Sequence, residues 1–218
     1  MNIQVFTFNP FQENTYVLYD DSHEAAIVDA GCLLPHEQAE LQRFVTDQNL
    51  HVARVLNTHL HLDHQFGNRF VHDTWGISPE AHRQDEFLIT TFPLQAQAFG
   101  LGGQAGEAQP LRSYIDDNEA ITFGHTTLTA LHVPGHSPGG LAFYCAAEGV
   151  LLSGDTLFRE SVGRTDLAGG DHSTLLRSIA TRLFTLPPDT VVLSGHGDRT
   201  TIGHERQHNP FARPDALP

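Results

Sequence analysis

The sequence contains no lysine, only two cysteines, and a single residue each of methionine and tryptophan. Long apolar runs are missing too: stretches such as 25–28 and 149–152 are strand-sized and far short of the roughly 20 residues that span a bilayer. No membrane helix is expected. Met1-Asn2-Ile3-Gln4-Val5-Phe6 offers neither a basic cluster ahead of an apolar stretch nor a small-residue cleavage site, so no signal peptide is expected and a cytoplasmic location is the default. Cys32 and Cys145 stand too far apart for a metal-type pair and fit reduced thiols, each a small buried residue.

Basic charge is scarce. All 12 basic residues are arginine, against 26 acidic ones, a formal balance of 12 − 26 = −14. Phosphate backbones would repel such a chain unless its charges were strongly segregated, which disfavours a nucleic-acid partner. A very anionic substrate would need a local basic pocket, for which Arg159 and Arg164 are the nearest candidates. An acidic, lysine-free surface suits work in high salt, although a GC-rich genome produces the same preference for arginine.

Histidine is abundant, with 15 in 218 residues, and about half of these suit ordinary surface positions. Length and a hydrophobic content of 39% suggest one soluble globular domain, 1–218. Short strands are expected at 3–8, 15–20, 24–28 and 51–56. A helix should cover 35–48, where Ala39, Leu41, Phe44 and Val45 form one stripe, and helices are also expected at 68–75 and 82–91. Residues 99–110, rich in Gly, Ala and Gln, read as a mobile loop. Strands follow at 120–123, 127–133, 141–145 and 150–153, then a helix at 173–183 and a strand at 190–194. This order suggests a layered α/β domain, sheet on sheet with helices outside.

The most informative segment is His59-Leu60-His61-Leu62-Asp63-His64. In extended backbone, alternation sends His59, His61 and Asp63 to one side and Leu60 and Leu62 to the other, where they anchor the loop. His64 is out of phase and reaches a second ion only if the chain turns there. The chance rate of the pattern is on the order of 0.005 per chain, so it is specific for a short motif. His136, in Val133-Pro134-Gly135-His136-Ser137-Pro138-Gly139-Gly140, joins it, as do Asp155 in Ser153-Gly154-Asp155-Thr156 and His196 in Ser194-Gly195-His196-Gly197. Each stands beside glycine at a strand end, where a rigid sheet can aim it into a shared cleft. Imidazole and carboxylate without thiolate suit Zn, Fe or Mn, and a shared water between two ions would ionise near neutral pH and act as nucleophile.

At these residues the chain resembles the metallo-β-lactamase superfamily, and within it the single-domain glyoxalase II-like hydrolases. The resemblance includes Phe11-Gln12-Glu13-Asn14-Thr15-Tyr16, Ile27-Val28-Asp29-Ala30-Gly31, Gly163-Arg164-Thr165-Asp166-Leu167 and the stretch 195–211. It implies an αββα sandwich and two divalent ions, zinc foremost. One ion would be held by His59, His61 and His136, the other by Asp63, His64 and His196, with Asp155 bridging; Asp63 and Asp155 count as catalytic. It implies Asp29 as an acceptor behind the metal histidines, while a plain turn aspartate before Gly31 is the other reading. The implied reaction is hydrolysis of a small thioester of the S-lactoylglutathione type. Two-domain glyoxalase II enzymes hold glutathione with a C-terminal helical domain, which is not expected in the 22 residues after His196, so the thiol carrier stays open.

Four rivals share the motif, among them an RNA-processing nuclease, which would need a basic surface or an extra domain. A persulfide dioxygenase would bind one iron through His59, His136 and Asp155. A β-lactamase is disfavoured because Asp155 stands where the commonest class has a zinc-ligating cysteine. A non-catalytic metal-binding module is opposed by the filling of all seven ligand positions.

Overall fold

The computed structural model describes residues 1–212, so the last six residues of the expected domain lie outside the described residues. Contacts divide the chain into two compact units, and its strands form two six-stranded sheets.

The first unit comprises Met1–Ile115 and Thr122–Thr127. Its sheet runs in chain order through β1 (Asn2–Phe8), β2 (Glu13–Tyr19), β3 (Glu24–Val28), β4 (His51–Leu56), β5 (Glu80–Ala81) and β6 (Ser113–Tyr114). β1 to β3 are antiparallel, whereas β3 to β6 are parallel and therefore need crossovers. These are helical: α1 (Pro35–Asp47) precedes β4, the single turn α2 (Leu62–Gln65) and α3 (Asn68–Trp75) precede β5, and α4 (Glu86–Ala98) precedes β6. α1 starts with Pro35, whose fixed φ suits a first turn, and the Glu37 carboxylate accepts the N–H groups of Leu33, Leu34 and Asn9 at 2.7–2.8 Å. Leu41 and Val45 of that helix pack with Val17, Ile27 and Val55 of the sheet.

The second unit comprises Asp116–Ile121 and the chain from Leu128 onward. The second sheet, most of whose residues lie in this unit, has the order β14 (Thr200–Thr201), β13 (Val191–Ser194), β10 (Val150–Gly154), β9 (Leu141–Cys145), β8 (Thr126–His132) and β7 (Ala120–Phe123). A small hairpin, β11 (Leu157–Phe158) with β12 (Ser161–Val162), follows β10. β10 and β13 pair in parallel, joined through α5 (His172–Ser178) and the π turn that continues it to Leu183. Leu175, Leu176, Ile179 and Leu183 are buried as their spacing requires, against Leu151 and Val192. α6 (Ile202–His208) closes the unit, its first turn capped by the Thr201 hydroxyl.

Two expectations need correction. The extended backbone of the histidine motif ends at His61, and α2 begins at Leu62, so Asp63 leaves the alternating side that it was expected to share with His59 and His61. The helix expected at 82–91 opens as a 3-10 turn, Arg83–Asp85, and α4 then runs through Pro93 to Ala98 because Leu88, Phe92 and Ala96 keep one face buried. α6 and the two-residue strands β5, β6, β11, β12 and β14 were not anticipated, being too short to show a period. Cys32 and Cys145 are buried and free, as expected. Among the described residues no helix is long and apolar enough to cross a membrane.

Candidate metal centre

In the first unit the donors rise from the carboxyl ends of two neighbouring parallel strands, the usual place for a site in such a sheet. Val28 pairs with Leu56, so Asp29 and Asn57 leave β3 and β4 side by side, and the Asp29 N–H reaches the Leu56 carbonyl at 2.9 Å. Asp29 is 2% exposed and has φ 51°, a left-handed conformation that aspartate tolerates better than most residues. Its carboxylate accepts the Thr58 N–H at 2.7 Å, the Thr58 hydroxyl at 2.6 Å and the Asn57 amide at 3.4 Å, and it lies 3.1 Å from His64 Nδ1. A carboxylate facing Nδ1 puts the ring proton there and makes Nε2 the nitrogen with a lone pair for a metal. Asp29 is thus both turn residue and acceptor.

His59, His61 and His64 are all buried, with the His59 ring 4.8 Å from that of His61 and 4.0 Å from that of His64. The apolar partners are both buried, as expected of anchors: Leu60 packs with Ala81 and Leu88, and Leu62 with Phe66 and Phe92. His64 Nε2 stands 3.7 Å from Asp63 Oδ2.

In the second unit the donors come from three separate strand ends. Gly154 pairs with Ser194, and the Gly195 N–H donates to the Gly154 carbonyl at 2.9 Å, so Asp155 and His196 leave adjacent strands together. His136 sits in the turn between β8 and β9, where Gly135 has φ 137° and a Cβ would collide with the backbone of Leu175. Asp155 Oδ2 lies 3.6 Å from His136 Nε2 and 3.5 Å from His196 Nε2. These separations are too long for hydrogen bonds. Two donors each about 2.0–2.1 Å from a tetrahedral ion sit about 3.3–3.4 Å apart, so the donor set fits metal ligation in type and in spacing. His136 Nδ1 meets the Arg164 carbonyl at 2.7 Å; a carbonyl only accepts, so Nδ1 carries the proton and Nε2 faces Asp155.

Several contributors were invisible as such in the sequence. The Arg164 carbonyl is one, since a backbone acceptor leaves no mark on residue type. Gly163 is another: a Cβ there would run into the Asp155 carbonyl oxygen and close on His136 Cβ. Glu13 is a third. It is fully buried, accepts the Thr15 hydroxyl at 2.9 Å, and offers an oxygen within 4.8 Å of donor atoms of Asp29 and His64. Burial pushes its carboxyl well above the ordinary range, with the neighbouring His64 working against that rise.

The basic candidates have local partners. Arg164 makes two 2.7 Å bonds to Asp166, both side chains exposed, and this pairing holds the Asp166 carboxyl down at about 2. Arg159 lies 3.6 Å from Asp198. His132 meets the Pro138 carbonyl, His82 caps the 3-10 turn, and His204 meets Glu160.

Residues 8–196 match the family model described as the metallo-beta-lactamase superfamily. The chain belongs to that superfamily. A protein named hydroxyacylglutathione hydrolase GloC, from Haemophilus influenzae, is 36% identical over 97% of this chain and 98% of its own. Among solved structures, the BLEG-1 B3 metallo-beta-lactamase superposes with a TM-score of 0.87 at 38% identity, covering 97% of this chain and 99% of that one. TTHA1623, crystallised in a di-iron-bound form, gives 0.84 at 35% identity, covering 95% and 99%. The superfamily is one of metallo-hydrolases, and its αββα fold is the one expected for this chain.

Proposed function

We propose that this member of the superfamily is a binuclear metal-dependent hydrolase acting on a small acyl thioester of the S-lactoylglutathione type. His59, His61 and His136 would hold one divalent ion and Asp63, His64 and His196 the other, with Asp155 shared. The observation that carries this reading is the position of Asp155 Oδ2, one carboxylate oxygen about equally far from His136 and His196, the two rings assigned to different ions. The relation to GloC supports the thioester class, and imidazole with carboxylate suits zinc, while the di-iron form of TTHA1623 argues for testing iron beside it.

Bound ions would supply a water ionised near neutral pH and a Lewis acid for the thioester carbonyl. The chain's own residues do the rest. Asp29 and the Arg164 carbonyl hold the His64 and His136 rings in the tautomer that turns Nε2 inward, and buried Leu60 and Leu62 pin the backbone that presents the motif. The leaving thiol is acidic enough to depart as thiolate, so no strong general acid is required.

Elemental analysis of the purified protein beside S-lactoylglutathione turnover tests this directly. Two equivalents of metal with thiol release are expected. One iron with oxygen uptake on glutathione persulfide would replace the reading with a dioxygenase, and intact metal with no hydrolysis of thioesters, lactones or phosphodiesters would leave a binding module. A β-lactamase is the second reading, favoured by the likeness to BLEG-1, and nitrocefin opening decides it. The objection drawn from Asp155 concerns only the cysteine-ligating class.

A further inference from the structure

The three donors of the second unit share a neighbour to which no role has been given. The β11–β12 hairpin leaves β10 directly after Asp155 and returns the chain at Gly163 and Arg164. Phe158 of the hairpin lies with its ring centroid 6.3 Å from that of His196. Gly163 packs against the Asp155 backbone, and the Arg164 carbonyl accepts the hydrogen bond from His136 Nδ1. Whatever fixes this hairpin therefore fixes the surroundings of all three donors.

Its attachments lie on α6 and the residue just beyond it. Asn209 is fully buried and donates through Nδ2 to the Ser161 carbonyl at 2.9 Å and to Glu205 Oε2 at 2.8 Å. Glu205 is also fully buried. Its Oε2 accepts the Glu160 N–H at 2.9 Å, and its Oε1 accepts the Thr200 hydroxyl at 2.5 Å. Asn209 Oδ1 meanwhile accepts the N–H groups of Phe211 and Ala212 at 3.0 and 3.2 Å, which locks the end of the helix. Glu160, at the hairpin tip, has φ 55°, a left-handed conformation that a free glutamate seldom keeps, and its side chain is held by His204 at 3.0 Å. Two fully buried polar side chains, each making one hydrogen bond to the same short hairpin and tied to each other, are costly to retain without partners and specific when satisfied.

We propose that Glu205 and Asn209 are positioning residues for the metal centre: clamped to α6, the hairpin aims His136 through the Arg164 carbonyl and seats Asp155 through Gly163. The inference rests on the two-ion reading above, so the test reads metal rather than turnover. Asn209→Asp keeps the shape but turns two donated bonds into repulsion against the Ser161 carbonyl and Glu205. It should weaken zinc binding about 10- to 100-fold in chelator competition, as loss of support behind a ligand does, and should alter the visible bands of the cobalt-loaded protein. Asn209→Ala, which adds no charge, should do the same more mildly if the aspartate variant does not fold. Glu205→Gln can still accept on the hairpin side and should stay near wild type, whereas Glu205→Ala should not. Arg182→Ala breaks the Asp117 pair elsewhere in the same unit and should lower Tm without moving affinity or spectrum. Folded Asn209 variants with wild-type affinity and cobalt bands would overturn the clamp alone. A wild-type protein that binds no transition metal would overturn it together with the reading beneath.

Discussion

The two units build their sets of candidate donors in opposite ways. The first takes four donors from one six-residue run and backs them with a side-chain anion, Asp29, which gathers four donor groups from Asn57, Thr58 and His64. The second takes three donors from three strand ends and backs them with main chain, the Arg164 carbonyl behind His136 and the close approach of Gly163 behind Asp155. A half-site backed by charge should respond to changes of charge. One backed by main chain should respond to changes of shape.

The sharpest way to break this contrast is to remove the shared oxygen. Asp155→Ala should abolish binding of the second ion and cost several kcal/mol of transition-state stabilisation, on the order of 10³-fold in kcat/KM. Asp63→Ala, which removes a ligand assigned to one ion only, should cost less. If the two variants lose activity and metal equally, Asp155 has no bridging role.

A shape change in the second unit comes next. Gly163→Ala forces a Cβ against a backbone oxygen, which cannot swing aside as a flexible side chain would, so a loss of about 1–3 kcal/mol in stability is expected. Urea unfolding of the metal-free protein measures that cost, and metal titration shows whether affinity falls with it. Undiminished stability would mean that the loop relaxes and that main-chain backing is softer than the geometry suggests.

The corresponding change in the first unit is one of charge. Asn adopts the left-handed conformation of Asp29 readily, so Asp29→Asn should keep the turn while removing the anion behind His64. Metal affinity should fall about 10- to 100-fold, with little change in far-ultraviolet circular dichroism. A larger loss here than at Gly163 would favour charge as the stronger support.

The same contrast explains what the sequence could disclose. His59 to His64 is legible because its donors are adjacent and its leucines alternate, although the helix starting at Leu62 takes Asp63 out of the expected phase. His136, Asp155 and His196 carry no signal singly and become visible only as glycine-flanked strand ends taken together with that run. Asp29 was a candidate only through the family resemblance, which side chains can carry. The Arg164 carbonyl was not, because every residue has one. Glu205 and Asn209 act across about 45 residues on a hairpin whose strands are two residues long, and neither that length nor that distance leaves a periodic trace. The long-period elements behaved differently, and β3, β4, α3, β7 and β9 have the bounds that their patterning predicts.

Asp20 provides the smallest and most diagnostic comparison, because it repeats the device of Asp29 with no histidine to support. Its carboxylate takes the Ser22 N–H and hydroxyl, the His125 N–H and the Thr126 hydroxyl, tying down the tip at Thr122–Thr127. Slight burial raises its pKa, but the hydrogen bonds from Ser22 and Thr126 and from the Ser22 and His125 amides win, and the group is held well below its ordinary 3.8. A carboxyl depressed by folding stabilises the native state above its unfolded value, and that contribution fades as the pH falls below about 3.8 toward the folded value. Asp20→Asn should therefore lower stability at pH 7 by about 1 kcal/mol or less, given solvent screening. The gap from wild type in the urea midpoint should narrow at pH 3, and metal affinity should not move. If Asp20→Asn weakened metal binding as much as Asp29→Asn, the Asp29 effect would be one of general stability, and the first half-site would have no anion of its own.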